Sequence, residues 1–100
     1  MPKTLTPIHP GEILREDVLE PLNLSVNQLA KALGVDAARL NEIARGRRGI
    51  TADTALRLSR YLGTSPEFWL NLQTRYDLNV ARQQKAKVIE RAVKPRSAAA

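Results

Sequence analysis

The sequence contains no cysteine. That excludes a disulfide scaffold, a thiolate zinc site and a cysteine nucleophile, and a chain without thiols suits the reducing cytoplasm. Histidine is almost as scarce: His9 stands alone, so no histidine metal cluster can form. No run approaches the ~18 apolar residues of a membrane span. Residues 1–7 also lack the apolar core of a signal peptide, so the expected setting is cytoplasmic, with no membrane contact. Strand-like alternation and internal repeats are missing. So are a metalloprotease motif and a glycine-rich phosphate loop. Glu16, Asp17 and Glu20 read as the solvated face of a helix. No catalytic residue, metal or cofactor is expected, and the chain does not read as an enzyme.

What is present is one domain's worth of globular chain: 100 residues, 43% hydrophobic and 26% charged. The net charge of +6 and a pI near 10.3 make nucleic acid the first partner to consider. The charge is unevenly spread. Residues 1–78 hold ten basic and nine acidic side chains, whereas residues 79–100 hold six basic ones against Glu90 alone. Within the body, Arg39, Arg45, Arg47, Arg48, Arg57 and Arg60 face only Glu42 and Asp53, a local +4 in 22 residues.

The punctuation is helical throughout. Pro10 suits a first helical turn, Ile13, Leu14 and Val18 supply an apolar stripe, and Pro21 is the expected stop. Ser25 and Gln28 form a capping box before Val26, Leu29, Ala30 and Leu33, with Gly34 at the end. Asp36 caps a short helix through Leu40, Ile43 and Ala44, ended by Gly46. Thr51 caps the next, stopped by Gly63, and Ser65-Pro66-Glu67 opens a last one carrying Phe68, Trp69, Leu72, Tyr76 and Leu78. The fold class is all-α: about five short helices over residues 1–78, then a basic tail, 79–100, partly helical or disordered.

Residues 25–45 carry the function. Two short helices meet at Gly34, with Ala30 where they touch and Leu29, Leu33, Val35, Leu40 and Ile43 pointing into a shared core. This is the requirement of a helix-turn-helix. From Ser25 to Leu62 the chain resembles the lambda-repressor-like helix-turn-helix family. The stretch from His9 to Leu78 resembles its HigA/VapI branch of antitoxins. The matching motifs are His9-Pro10-Gly11-Glu12-Ile13-Leu14, Leu33-Gly34-Val35, Arg39-Leu40-Asn41-Glu42-Ile43 and the run from Arg45 to Leu58. Ser65-Pro66-Glu67-Phe68-Trp69-Leu70-Asn71-Leu72-Gln73 and Tyr76-Asp77-Leu78 complete them. The resemblance implies an antitoxin that neutralises an mRNA-cleaving HigB/RelE-type toxin and represses its own operon.

In such a motif the second helix enters the major groove, with its N-terminal residues at the base edges. The expected DNA-binding residues are therefore Ala37, Ala38, Arg39, Asn41 and Arg45, with Glu42 on the same surface. Ser25, Asn27 and Gln28 suit a phosphate at the preceding helix start, and Arg47 and Arg48 suit the backbone. Ala37 and Ala38 offer no hydrogen bond, so readout is expected to lean on Arg39 and on DNA shape. Arg39 has a second reading, an ion pair with Asp36 or Glu42. His9 leads into the first helix or touches the toxin, and the tail is either solubilising or a contact to toxin or DNA. One short recognition helix reads few base pairs, so a homodimer on a pseudo-palindromic operator is expected. Phe68, Trp69, Leu72 and Tyr76 belong either to the core or to the dimer interface. A stand-alone regulator without a toxin is the alternative function.

Overall fold

The computed structural model describes residues 6–97. Helix α1, residues 10–22, begins where His9 takes an extended conformation and its Nδ1 accepts the Gly11 N–H at 2.8 Å. It is α-wound over Pro10–Ile13, π-wound over Leu14–Leu19 and α-wound again over Glu20–Leu22. The expected stop at Pro21 falls inside this last turn. The π segment changes the carbonyl register ahead of Pro21, and such a displaced ladder is one way a helix admits a residue with no N–H. The stop is Asn23, left-handed at φ 54°, which lets the Leu24 N–H reach the Leu19 carbonyl at 2.9 Å.

Helix α2 spans Val26–Leu33 and opens with both halves of the capping box: Gln28 N–H to Ser25 Oγ at 3.0 Å, and Ser25 N–H to Gln28 Oε1 at 2.9 Å. It ends at Gly34, φ 71°, a conformation costly to any residue with a Cβ. Helix α3, Ala37–Ala44, follows after the Asp36 cap. Helix α4 is Ala52–Leu62, capped by Thr51, and α5 is Pro66–Ala92, capped by Ser65. Among the described residues there are five helical bodies and no strand.

Leu14, Leu29, Leu40, Ile43, Ala55, Leu58 and Trp69 are fully buried where all five helices meet. Each large aliphatic side chain buried this way stabilises by about 1.5–3 kcal/mol. Trp69 brings α5 into that core, and its indole N–H donates to Thr64 Oγ1 at 3.0 Å.

The boundary expected after residue 78 lies inside one uninterrupted helix, so the last helix is long and not short. Ala81, Arg82, Gln83, Gln84, Lys85, Ala86 and Lys87 are all good helix formers, and no proline intervenes before Pro95. From residue 81 onward every described residue except Ala86 is exposed. This projecting half stretches the molecule to 55 × 30 × 23 Å.

Candidate nucleic-acid interface

The start of α3 is open to solvent. Ala38 is exposed, and Ala37, Arg39, Asn41 and Glu42 are partly so; Ser25, Asn27 and Gln28 lie exposed at the start of α2. Between α3 and α4 the segment 45–50 carries Arg45, Arg47 and Arg48, all exposed. Arg47 makes one loose ion pair with Glu42, at 3.7 Å, and exposed pairs of this kind contribute little.

This arginine segment is held from behind by residues that periodicity left unassigned. Gln73 of α5 accepts the Ile50 N–H through Oε1 at 2.7 Å and donates through Nε2 to Asp77 at 3.0 Å. Gly49 lies under the same side chain: a Cβ there would meet the Gln73 amide at 3.1 Å. His9 grips the other end. Its ring lies against the segment, where a Cβ at Gly46 would meet it at 3.6 Å, and packs edge-on against Tyr76, centroids 4.8 Å apart. Burial holds the imidazole below the ordinary histidine range; Asp77 and the Arg48 backbone pull it up, and Arg15 pushes it further down. His9 therefore leads into α1, as expected, and also braces the arginine segment.

Helix α3 is fixed just as closely. Gly11 lets α1 cross its C-terminal end: a Cβ at residue 11 would sit 2.0 Å from the Ile43 carbonyl oxygen. Arg15 donates to the Ala44 carbonyl and so occupies one of the orphan acceptors there. Arg57 donates to the Leu33 and Gly34 carbonyls, at 2.9 and 3.2 Å, closing the turn between α2 and α3. It also binds Asp53 through Nε at 3.0 Å. Arg57, followed by Arg39, holds the Asp53 carboxyl below its usual range.

Arg39 completes this network, with partners other than the two acids expected for its ion pair. Its guanidinium pairs with neither Asp36 nor Glu42. It reaches across to the first turn of α4, donating to Thr54 Oγ1, to Asp53 at 3.3 Å and to Thr51 at 3.4 Å. The local +4 thus divides. Arg39 and Arg57 join α2, α3 and α4, while Arg45 and Arg48 have no ion pair among the described residues.

The four aromatic and apolar residues of the last helix also separate. Trp69 is 1% exposed within the single chain, so it has no face left for a partner subunit. Leu72 packs against the core, and Tyr76 is half-buried beneath His9. Phe68, 43% exposed and edge-on to Trp69, alone of the four offers substantial apolar surface. Leu78, Ile89 and Val93 extend exposed apolar surface along α5 and just beyond it.

Sequence reasoning missed Gly11, Arg15, Arg57 and Gln73 as the parts that position this surface. Two of them left a trace. Gly11 is an isolated glycine in a helical pattern, a mark of close backbone approach, and Asp53 and Arg57 stand at ion-pair spacing on a helix.

Two short helices set at a tight turn, the second exposed and flanked by arginines, define a helix-turn-helix protein. A helix-turn-helix family model matches residues 16–69. Over 81 residues the chain is 60% identical to virulence-associated protein I of Dichelobacter nodosus, covering 81% of this chain and 75% of that protein. Its fold matches that of the antitoxin GraA at a TM-score of 0.91 and 50% identity, over 93% of this chain and all of the other. It matches the Pseudomonas aeruginosa antitoxin HigA, solved with the higBA promoter, at a TM-score of 0.86. That match has 49% identity and covers 89% of this chain and 97% of the other. The chain belongs to the HigA-type antitoxins within the helix-turn-helix family.

Proposed function

We propose that this chain is a dimeric, operator-binding antitoxin that represses its own operon and neutralises an mRNA-cleaving toxin of the HigB/RelE type. The observation that carries the DNA reading is the arginine segment, three exposed cations braced by His9 and Gln73 beside an open recognition helix. Preorganised cations of this kind gain phosphate contacts without first ordering a loop. The toxin half rests on family membership.

In this reading Arg45, Arg47 and Arg48 hold the DNA backbone. Asn41 reads a base edge, and Ala37 and Ala38 let α3 approach closely enough to touch a thymine methyl. Asn27 and the first N–H groups of α2 take a second phosphate, while Ser25 and Gln28 keep that helix start in place. Arg39 acts as a positioning residue that sets α3 against α4. Two subunits supply two half-sites about one helical turn apart. Phe68 and Leu78 are the apolar residues offered to the dimer contact.

The test is a gentle pull-down of the tagged chain from its native cells, read by mass spectrometry, with gel-shift of DNA from upstream of its own gene. A stoichiometric small basic protein together with a shifted duplex is the expected result. A shifted duplex with no protein partner under any growth condition would move the chain to the stand-alone regulators. No shift would remove the DNA reading.

A further inference from the structure

The projecting half of α5 and the residues after it are strongly basic: residues 79–97 hold six cations against Glu90, four of them within the helix. These cations do not surround the helix without order. Gln73, Asp77, Val80, Gln84, Lys87 and Arg91 follow one another at alternating spacings of four and three, which places them on one face. The first of these residues binds the Ile50 N–H, so this face is the one turned toward the arginine segment. Asp77, the acid on the stripe, is tied to Gln73 at 3.0 Å. Beyond the segment the stripe continues with Gln84, Lys87 and Arg91, all exposed. Arg82 and Lys85 lie on the opposite side of the same helix.

We infer that Lys87 and Arg91 form a second phosphate-binding surface, gripping duplex DNA outside the half-site that α3 reads. The inference rests on the DNA reading above and gives the projecting helix a function within it. Lys87 stands about 21 Å and Arg91 about 27 Å along the helix axis from Gln73. In this reading that reach carries them beyond the arginine segment, toward the backbone that flanks the half-site. Such contacts carry no sequence information; they add affinity, salt dependence and a longer protected stretch of DNA. The helix is anchored at its base through Trp69 and Gln73, so its cations are presented on a continuous arm and not on a loose tail.

The experiment compares K87Q/R91Q with R82Q/K85Q in the full-length chain. The two variants lose equal charge from opposite faces of one helix. Binding to a labelled duplex from upstream of the chain's own gene is measured across a salt series, and sedimentation checks the assembly state of each variant. K87Q/R91Q is expected to lower the slope of log K against log salt by about 2 for each subunit, about 4 for the dimer on DNA, with binding weakened at least about a hundredfold near 0.1 M salt. Arg82 and Lys85 lie on the side of the helix that carries Leu78 and Ile89, so R82Q/K85Q is compared at a concentration where sedimentation shows it dimeric, and there it should keep the salt slope of the unaltered chain. Equal slopes for the two variants would overturn the face assignment, and an unchanged slope for K87Q/R91Q would overturn the second surface. A change of assembly state in K87Q/R91Q alone would overturn it as well, by making the stripe a subunit contact. If the unaltered chain fails to bind the duplex, the DNA reading itself is lost.

Discussion

At the scale of single residues, the tightest constraint lies at Gly11. Alanine would gain about 1 kcal/mol in helix propensity over glycine. Its methyl group, however, would meet two backbone carbonyl oxygens of α3, and those cannot swing aside. G11A is therefore expected to lose about 1–3 kcal/mol or more in urea unfolding, against its propensity. His9 supplies a pH dependence. Its folded value is depressed, so the folded state binds the proton less readily than the unfolded chain. The contribution is fully present above about pH 6.5, the unfolded value, and is lost as the pH falls through the folded value. Thermal unfolding across this window should show a fall in stability that H9N, which keeps a capping side chain, removes.

Arg39 belongs to the next scale because its meaning depends on α4. If it sets α3 against α4, R39A and D53N break a shared contact, while D53N also releases Arg57 and R39A also releases Thr51 and Thr54. Both should then weaken operator affinity, and their effects should add only in part in the double variant, as equilibrium binding would reveal. If only R39A lost discrimination between the operator and a scrambled duplex, Arg39 would be reading bases. R47A offers the contrast: binding to every sequence should weaken and the salt slope should fall by about 1 for each subunit, about 2 for the dimer. The elements themselves were legible in the sequence, since Ser25, Asp36, Thr51 and Ser65 each cap the helix that their side-chain chemistry announces. Arg39, Arg57 and Gln73 were not legible in the same way. An arginine that pins two helices and one that waits for a phosphate have the same local pattern; only the tertiary position of Asp53 or of the turn carbonyls separates them. The end of α1 was misplaced for a related reason, because π winding leaves no mark in side-chain periodicity strong enough to move the stop from Pro21 to Asn23.

For the whole molecule, the division that composition suggests between a neutral body and a basic tail is crossed by α5. One helix closes the core with Trp69, braces the arginine segment with Gln73 and Tyr76, and then leaves the body altogether. Charge composition could show that the tail is basic but not that it is continuous with the roof of the core. With Trp69 buried, Phe68, Leu78 and the apolar residues farther out are what this helix offers to the proposed second subunit. F68S/L78S should shift sedimentation from dimer to monomer and lower single-chain stability by about 1 kcal/mol through the lost Phe68–Trp69 contact. A monomer in the unaltered chain, free and on DNA, would remove the two-fold arrangement.

Trp69 is the only tryptophan in the chain, is 1% exposed, and has its indole N–H bonded to Thr64. Its fluorescence therefore reports from a single place, the junction of the last helix with the core. Emission should be blue-shifted in the native protein and move to the red when α5 leaves the body. Because the ring lies in the core and not on the arginine segment, DNA added to the folded protein should leave that colour almost unchanged. The molecule thus carries its own unfolding gauge, separable from its binding signal without a label.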